Sequence, residues 1–172
     1  MKLFIIRHGE KESDEFHSNL TPKGIEQASK VAEFLKKEKF DKLFSSSNPR
    51  SIQTGQIISK QSGVPLKIIN SIKELPKNIF FQEESEWGEE SKEIINNIRK
   101  FIDDLGIQNE DVVLSLNTGL NRAILSIILD IPLNKTVQLT QDIACLNLLE
   151  YKEIYGKKRW CVRLLNDTCH LK

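Results

Sequence analysis

Leu3-Phe4-Ile5-Ile6 is a run of four apolar positions that stops at Arg7-His8-Gly9-Glu10, as a central strand does when it ends in a polar turn. Thr21 caps and Pro22 opens a helix whose apolar face is Ile25, Ala28, Ala32 and Leu35, ending near Glu38. Phe40 to Ser45 reads as a short strand, Arg50 to Ser62 as a helix closed by Gly63, and Leu66 to Ile69 as a third strand. From Ser71 to Trp87 no periodicity persists and Pro76, aromatics and acids are mixed, which suggests a long excursion over a site. Ile94, Ile95, Ile98, Phe101, Ile102 and Leu105 form a broad helical stripe, ended by Gly106. Asp111 to Leu116 is a buried strand that breaks at Asn117-Thr118-Gly119 before a helix to Leu129. Ala144 to Tyr151 and Trp160 to Leu165 flank Tyr155-Gly156-Lys157 as an antiparallel hairpin. Strands alternating with helices predict an α/β fold: a three-layer sandwich with a mostly parallel central sheet, helices on both faces and a C-terminal antiparallel hairpin. At 172 residues, positions 1–172 are expected to form a single domain.

Composition narrows the partners. Lysine plus arginine (25) nearly balance aspartate plus glutamate (24), so net charge advertises no nucleic acid and any anion site must be local. Cys145, Cys161 and Cys169 are odd in number and lack Cys-x-x-Cys spacing, which argues against a disulfide framework and a zinc site; Cys145 and Cys161 read as small core residues. The first apolar run is too short and too soon interrupted by charge for a signal peptide or a membrane span, so no membrane association and a cytoplasmic address are expected. Oligomeric state leaves no trace in the sequence.

The candidate chemistry begins at residue 7. Open α/β sheets place ligands at the C-terminal ends of their strands, and a neutral imidazole beside a guanidinium suits attack on an anion. Gly9 lets the backbone approach whatever lies beside it. Two further segments follow in order: Leu20-Thr21-Pro22-Lys23-Gly24-Ile25-Glu26-Gln27-Ala28, then Ser45-Ser46-Ser47-Asn48-Pro49-Arg50-Ser51-Ile52-Gln53-Thr54. Together with Arg7-His8-Gly9-Glu10 they resemble the histidine phosphatase superfamily, the group of phosphoglycerate mutase-like phosphatases. The resemblance runs from Met1 to about Ile58 and returns at residues 111 to 126 and 160 to 171.

The resemblance implies a phosphatase acting on a phosphorylated small molecule or phosphoprotein, metal-independent and with no cofactor. It makes His8 the nucleophile that becomes a phosphohistidine, and Arg7 and Arg50 the two phosphate-clamping arginines. An imidazole with a reference pKa near ~6.5 supplies a neutral fraction at neutral pH, and nearby guanidinium groups push that pKa further down. Glu74 stands where relatives carry the proton donor, and would need burial to act as an acid; Glu10, beside the nucleophile, is the backup. Glu83, Glu84 and Glu86 read as a solvated run, and His17 as an exposed loop residue. His170, in Asn166-Asp167-Thr168-Cys169-His170-Leu171, resembles the C-terminal ending of small phosphatases and reads as structural.

One position departs from the pattern. Arg122 fixes the register and puts Asn117 where relatives have a second histidine, with Thr118-Gly119 as the small pair after it. Asn117 and Thr118 are then expected at the phosphate, but a neutral amide replaces a charged donor, a difference of about 1–2 kcal/mol or roughly tenfold to thirtyfold in rate. The competing expectation is a catalytically weakened member that binds a phosphorylated ligand or protein as a sensor. A mutase is disfavoured, because residues 75 to 110 leave little material for a substrate-enclosing insert.

Overall fold

The computed structural model describes every residue except Asp14, Phe16 and the side chain of Ile107. The chain runs β1 (Lys2–Arg7), α1 (Pro22–Lys36), β2 (Lys42–Ser46), α2 (Pro49–Ser62), β3 (Leu66–Ile69), α3 (Glu89–Gln108), β4 (Val112–Leu116), α4 (Thr118–Leu129), β5 (Leu146–Ile154) and β6 (Lys157–Asp167). Short 3-10 turns lie at Lys77–Phe81, Glu84–Glu86, Leu133–Gln138 and Cys169–Leu171. The strands form one sheet in the order β3-β2-β4-β1-β5-β6. β1, β2, β3 and β4 are mutually parallel, and β5 and β6 add an antiparallel hairpin, as the sequence pattern predicts.

Strand alternation sends side chains of β1 to opposite faces. Leu3 and Ile5 join a core with Ile98, Ile102, Leu120 and Ile124 of α3 and α4. Phe4 and Ile6 join a second core with Val31, Leu35 and Ile58 of α1 and α2. Both faces are therefore covered, and Leu3–Ile6 of β1 and all of β4 are buried, as such coverage requires.

Local chemistry sets most element ends. The Thr21 side chain accepts from the Gly24 N–H with Pro22 at the first helical position, and Gly63 closes α2 at φ 79°. Tyr155 (φ 51°) and Gly156 (φ 74°) make the two-residue turn that matches the twist of a hairpin, with Tyr151 and Trp160 paired across it at 4.9 Å between ring centroids.

Two expectations need correction. Gly106 does not end its helix: α3 continues to Gln108 and stops at Asn109 in the left-handed region (φ 53°), with Gly106 lying under the Tyr151 ring. Packing outweighs the roughly 1 kcal/mol that glycine costs inside a helix. Cys161 is half-buried on the outer strand rather than in the core, whereas Cys145 is buried. The segment after Ser71 holds two 3-10 turns, too short to show a period, and pins itself down through buried Ile72, Leu75, Ile79, Phe80 and Trp87. Among the described residues no helix is long and apolar enough to cross a membrane.

Candidate active site

β1, β2 and β4 run parallel, so their C-terminal ends open on one edge of the sheet. The strand order turns back there, with β4 inserted between β2 and β1, which is where open α/β sheets leave a crevice. His8 leaves β1 with its backbone still in the ladder: its N–H donates to the Leu116 carbonyl (3.0 Å) and its carbonyl accepts from Ala144 N (3.1 Å). The imidazole is 3 % exposed. Arg50, in the first turn of α2 and 5 % exposed, points its Nε at His8 Nε2 at 3.0 Å.

These contacts determine the histidine tautomer. A carbonyl only accepts, so the 2.7 Å contact between His8 Nδ1 and Gly9 O places the proton on Nδ1. A guanidinium only donates, so Nε2 presents its lone pair to Arg50. Burial, the largest cause, pushes the imidazole down to a pKa of about 3; the Gly9 carbonyl opposes this, while Arg50, Arg7 and Lys11 add to it. The guanidinium groups expected to keep this histidine neutral are thus secondary to desolvation.

Arg7, His8, Arg50, Glu74, Asn117 and Thr118 all line one cavity of about 320 Å³. Glu74 Oε1 is 3.8 Å from Arg50 Nη2, and its other oxygen is 3.5 Å from the Asn48 amide. The burial expected of this carboxyl is absent, since its side chain is 41 % exposed. Asn117 ends β4 and caps α4, its Oδ1 accepting from Leu120 N at 2.9 Å, while its buried Nδ2 has no partner. Asparagine suits this cap well, and the same geometry leaves an amide donor unused beside the cavity.

The sequence matches the histidine phosphatase superfamily (branch 1) over residues 3–79 and 70–168. The chain belongs to that superfamily. No curated protein sequence matches it. Among solved structures it is similar to phosphoserine phosphatase from Entamoeba histolytica in complex with 3-phosphoglyceric acid, at 22 % identity and TM-score 0.80, covering 99 % of each chain. It is also similar to mycobacterial glucosyl-3-phosphoglycerate phosphatase, at 18 % identity and TM-score 0.80, covering 97 % of this chain and 99 % of that one. These likenesses establish a shared fold.

Two of the expected supporting residues in this histidine phosphatase fold lie outside the cavity wall. A Cβ on Gly9 would collide with the Gly24 carbonyl, so its lack of a side chain lets the backbone approach α1. Glu10 accepts from Thr21 Oγ1 (3.0 Å) and pairs with Lys23 (3.1 Å), and the Lys23 contact, then Thr21, holds its carboxyl below the usual range. It ties the turn after β1 to α1. His170 contacts the Ala144 carbonyl through Nε2 at 3.0 Å and stacks near Phe34, a structural position behind the His8 loop.

Other parts of the site escape sequence reading. Arg7 Nη1 donates to the Gln141 carbonyl (2.5 Å), and the buried Gln141 side chain is held by Asn121 (3.1 Å) and Asn147 (2.8 Å). This places Arg7 through three amides scattered over α4, β5 and the loop between them, with no sequence signal joining them. Lys11, Lys77, Phe81 and Arg122 also line the cavity. A lysine three residues after the nucleophile was a visible clue; Lys77 and Phe81 fall in the segment without periodicity. Among the described residues no three His, Cys, Asp or Glu side chains come together as a metal-binding group.

Proposed function

We propose that this protein hydrolyses small phosphomonoesters through a phosphohistidine at His8, without a metal ion. The observation that carries this reading is the pair of contacts, Gly9 O on Nδ1 and Arg50 Nε on Nε2, that leaves the lone pair on Nε2 of a histidine in a cavity lined by three guanidinium groups. The ester's phosphoryl oxygens replace His8 as partners of Arg50 and bridge to Arg7, Thr118 and the unused Asn117 amide. Nε2 attacks phosphorus as the bond to the ester oxygen breaks, and Glu74 gives the leaving oxygen its proton. Water then attacks the phosphohistidine, Glu74 takes the water's proton back, and Nε2 leaves with its lone pair restored. The arginine forks spread the charge of the phosphoryl group in flight, and Gly9 O holds the proton on Nδ1 throughout. Glu74 is preferred to Glu10 because it lines the cavity, whereas Glu10 is engaged with Lys23.

One contact favours a second reading. Arg50 must release Nε2 before transfer, and a protein in which that bond persisted would bind phosphate as a sensor without turnover. Incubating the purified protein with an aryl phosphate and a chelator separates the two. The hydrolase turns over and His8→Ala does not; the sensor binds phosphate or vanadate and shows no turnover.

A further inference from the structure

A second cavity, of about 310 Å³, lies at the C-terminal end of α4, and among the described residues it shares no lining residue with the cavity around His8. Ile95 of α3, Ile127 of α4, Ile131, Leu133 and Trp87 give it an apolar lining. Two polar atoms of side chains in that lining are unused. Trp87 is 9 % exposed, and its Nε1–H is buried with no acceptor among the described residues. Asn134 donates through Nδ2 to Glu83 Oε1 at 2.8 Å. Because a carboxylate only accepts, this contact fixes which way the amide is turned and leaves Oδ1 as the buried atom with no partner among the described residues. Ser126, also in the lining, donates its hydroxyl proton to the Ile131 carbonyl at 2.6 Å. A buried donor and a buried acceptor left open each carry a desolvation cost, and an occupant that answers both returns it.

Charge narrows the occupant. Glu83, Glu84 and Asp130 line the cavity against Arg99, and Asp130 caps the end of α4, where the last carbonyls add negative potential. Anions, phosphate esters included, are disfavoured here, which separates this cavity from the chemistry at His8. A bound water would answer the two polar atoms but leave the apolar lining unfilled. We infer that this cavity is a second ligand site, for a compact carboxamide with an apolar body and no negative charge, its carbonyl accepting from Trp87 Nε1–H and its N–H donating to Asn134 Oδ1. The volume is at the small end of ligand sites and suits a molecule built on one ring. The inference stands whether or not His8 carries out phosphoryl transfer.

Benzamide, acetophenone and benzoate test it. All three share a ring and a carbonyl; acetophenone lacks the donor, and benzoate lacks it and adds a negative charge. The protein has two tryptophans, Trp87 and Trp160, so nitrogen-15-labelled protein gives two indole N–H signals, which Trp160→Phe assigns. The site predicts that benzamide shifts the Trp87 indole signal saturably, and that acetophenone and benzoate bind at least about fivefold more weakly, the worth of roughly one hydrogen bond. Saturating inorganic phosphate should leave the benzamide curve unchanged. Trp87→Phe keeps a ring and removes the N–H; it should weaken benzamide at least about fivefold, followed at the Asn134 side-chain amide, with thermal unfolding confirming that the variant folds. The three-ligand series on the wild type decides by itself if the variant does not fold. No saturable change at the Trp87 indole up to ~50 mM benzamide, a concentration that would reveal even millimolar affinity, overturns the proposal and leaves the cavity to water. Equal binding of the three ligands, competition by phosphate, or undiminished binding to a folded Trp87→Phe overturns it as well.

Discussion

The two walls of the cavity differ in how complete they are without a ligand. On the β1–β2 side, His8 has both ring nitrogens engaged, Nδ1 by Gly9 O and Nε2 by Arg50, and both side chains are deeply buried. Along the rest of the lining, Asn117 has a buried amide with no partner, the Glu74 side chain is 41 % exposed, and Phe81 stands 78 % exposed. An unpaired buried donor costs about 1–3 kcal/mol, which a bound acceptor can return. The nucleophile and its arginine are thus built in advance, and the rest of the lining is finished by what binds. Fixing a reactive group in advance spares its reorganisation during transfer, whereas groups that meet varied leaving sides gain from staying adaptable.

This contrast can be broken at both walls. Removing the nucleophile should have the largest effect: His8→Ala lowers kcat by about a thousandfold or more in a steady-state assay with an aryl phosphate, and residual turnover near the wild-type level would place the chemistry elsewhere. Arg50→Lys keeps the charge but loses the fork and the Nε contact, and should lower kcat/KM on the order of a hundredfold. On the open wall, Glu74→Gln should cost about tenfold to a hundredfold with an alkyl phosphate and less with an aryl phosphate, whose leaving oxygen needs less help. Equal losses on both esters would deny it the proton-donor role.

Burial of the neutral His8 also has a stability signature. The folded imidazole binds its proton only near pH 3, the unfolded one near ~6.5, so between these values the unfolded state holds more protons. Stability therefore rises with pH across that window and is lost as pH falls through it, by up to about 1.4 kcal/mol per unit. Urea unfolding at pH 7 and pH 5 should show the wild type losing about 2 kcal/mol more than His8→Ala, and parallel losses would mean a solvated imidazole. The smallest effect is expected at Asn117→His, where a charged donor gains about tenfold in kcat while loss of the α4 cap costs about 1 kcal/mol, a few degrees in Tm.

How far the sequence reached follows the same division. The strand ending at Arg7-His8, the Thr21–Pro22 helix start, the Gly63 stop and the Tyr155-Gly156 turn are signals carried by neighbouring residues, and each element was legible for that reason. Arg50 and Asn117 were legible because ordered motifs fix their register. The Gln141, Asn121 and Asn147 support of Arg7 was not, because three amides meeting in space leave no spacing in the chain. Lys77 and Phe81 were hidden because 3-10 turns carry no hydrophobic period, and the end of α3 was misplaced because packing against Tyr151 overrode the glycine signal.

The central claim is that the lone pair on His8 Nε2 takes up the phosphoryl group. Rapid quench into alkaline denaturant after mixing with a substrate labelled in its phosphorus, followed by mass mapping without acid, reads this directly. The account predicts an acid-labile phosphoryl group on His8 that forms and decays at the rate of turnover and is absent from His8→Ala. Turnover with no label on the protein, or a label that forms equally on His8→Ala, would contradict it.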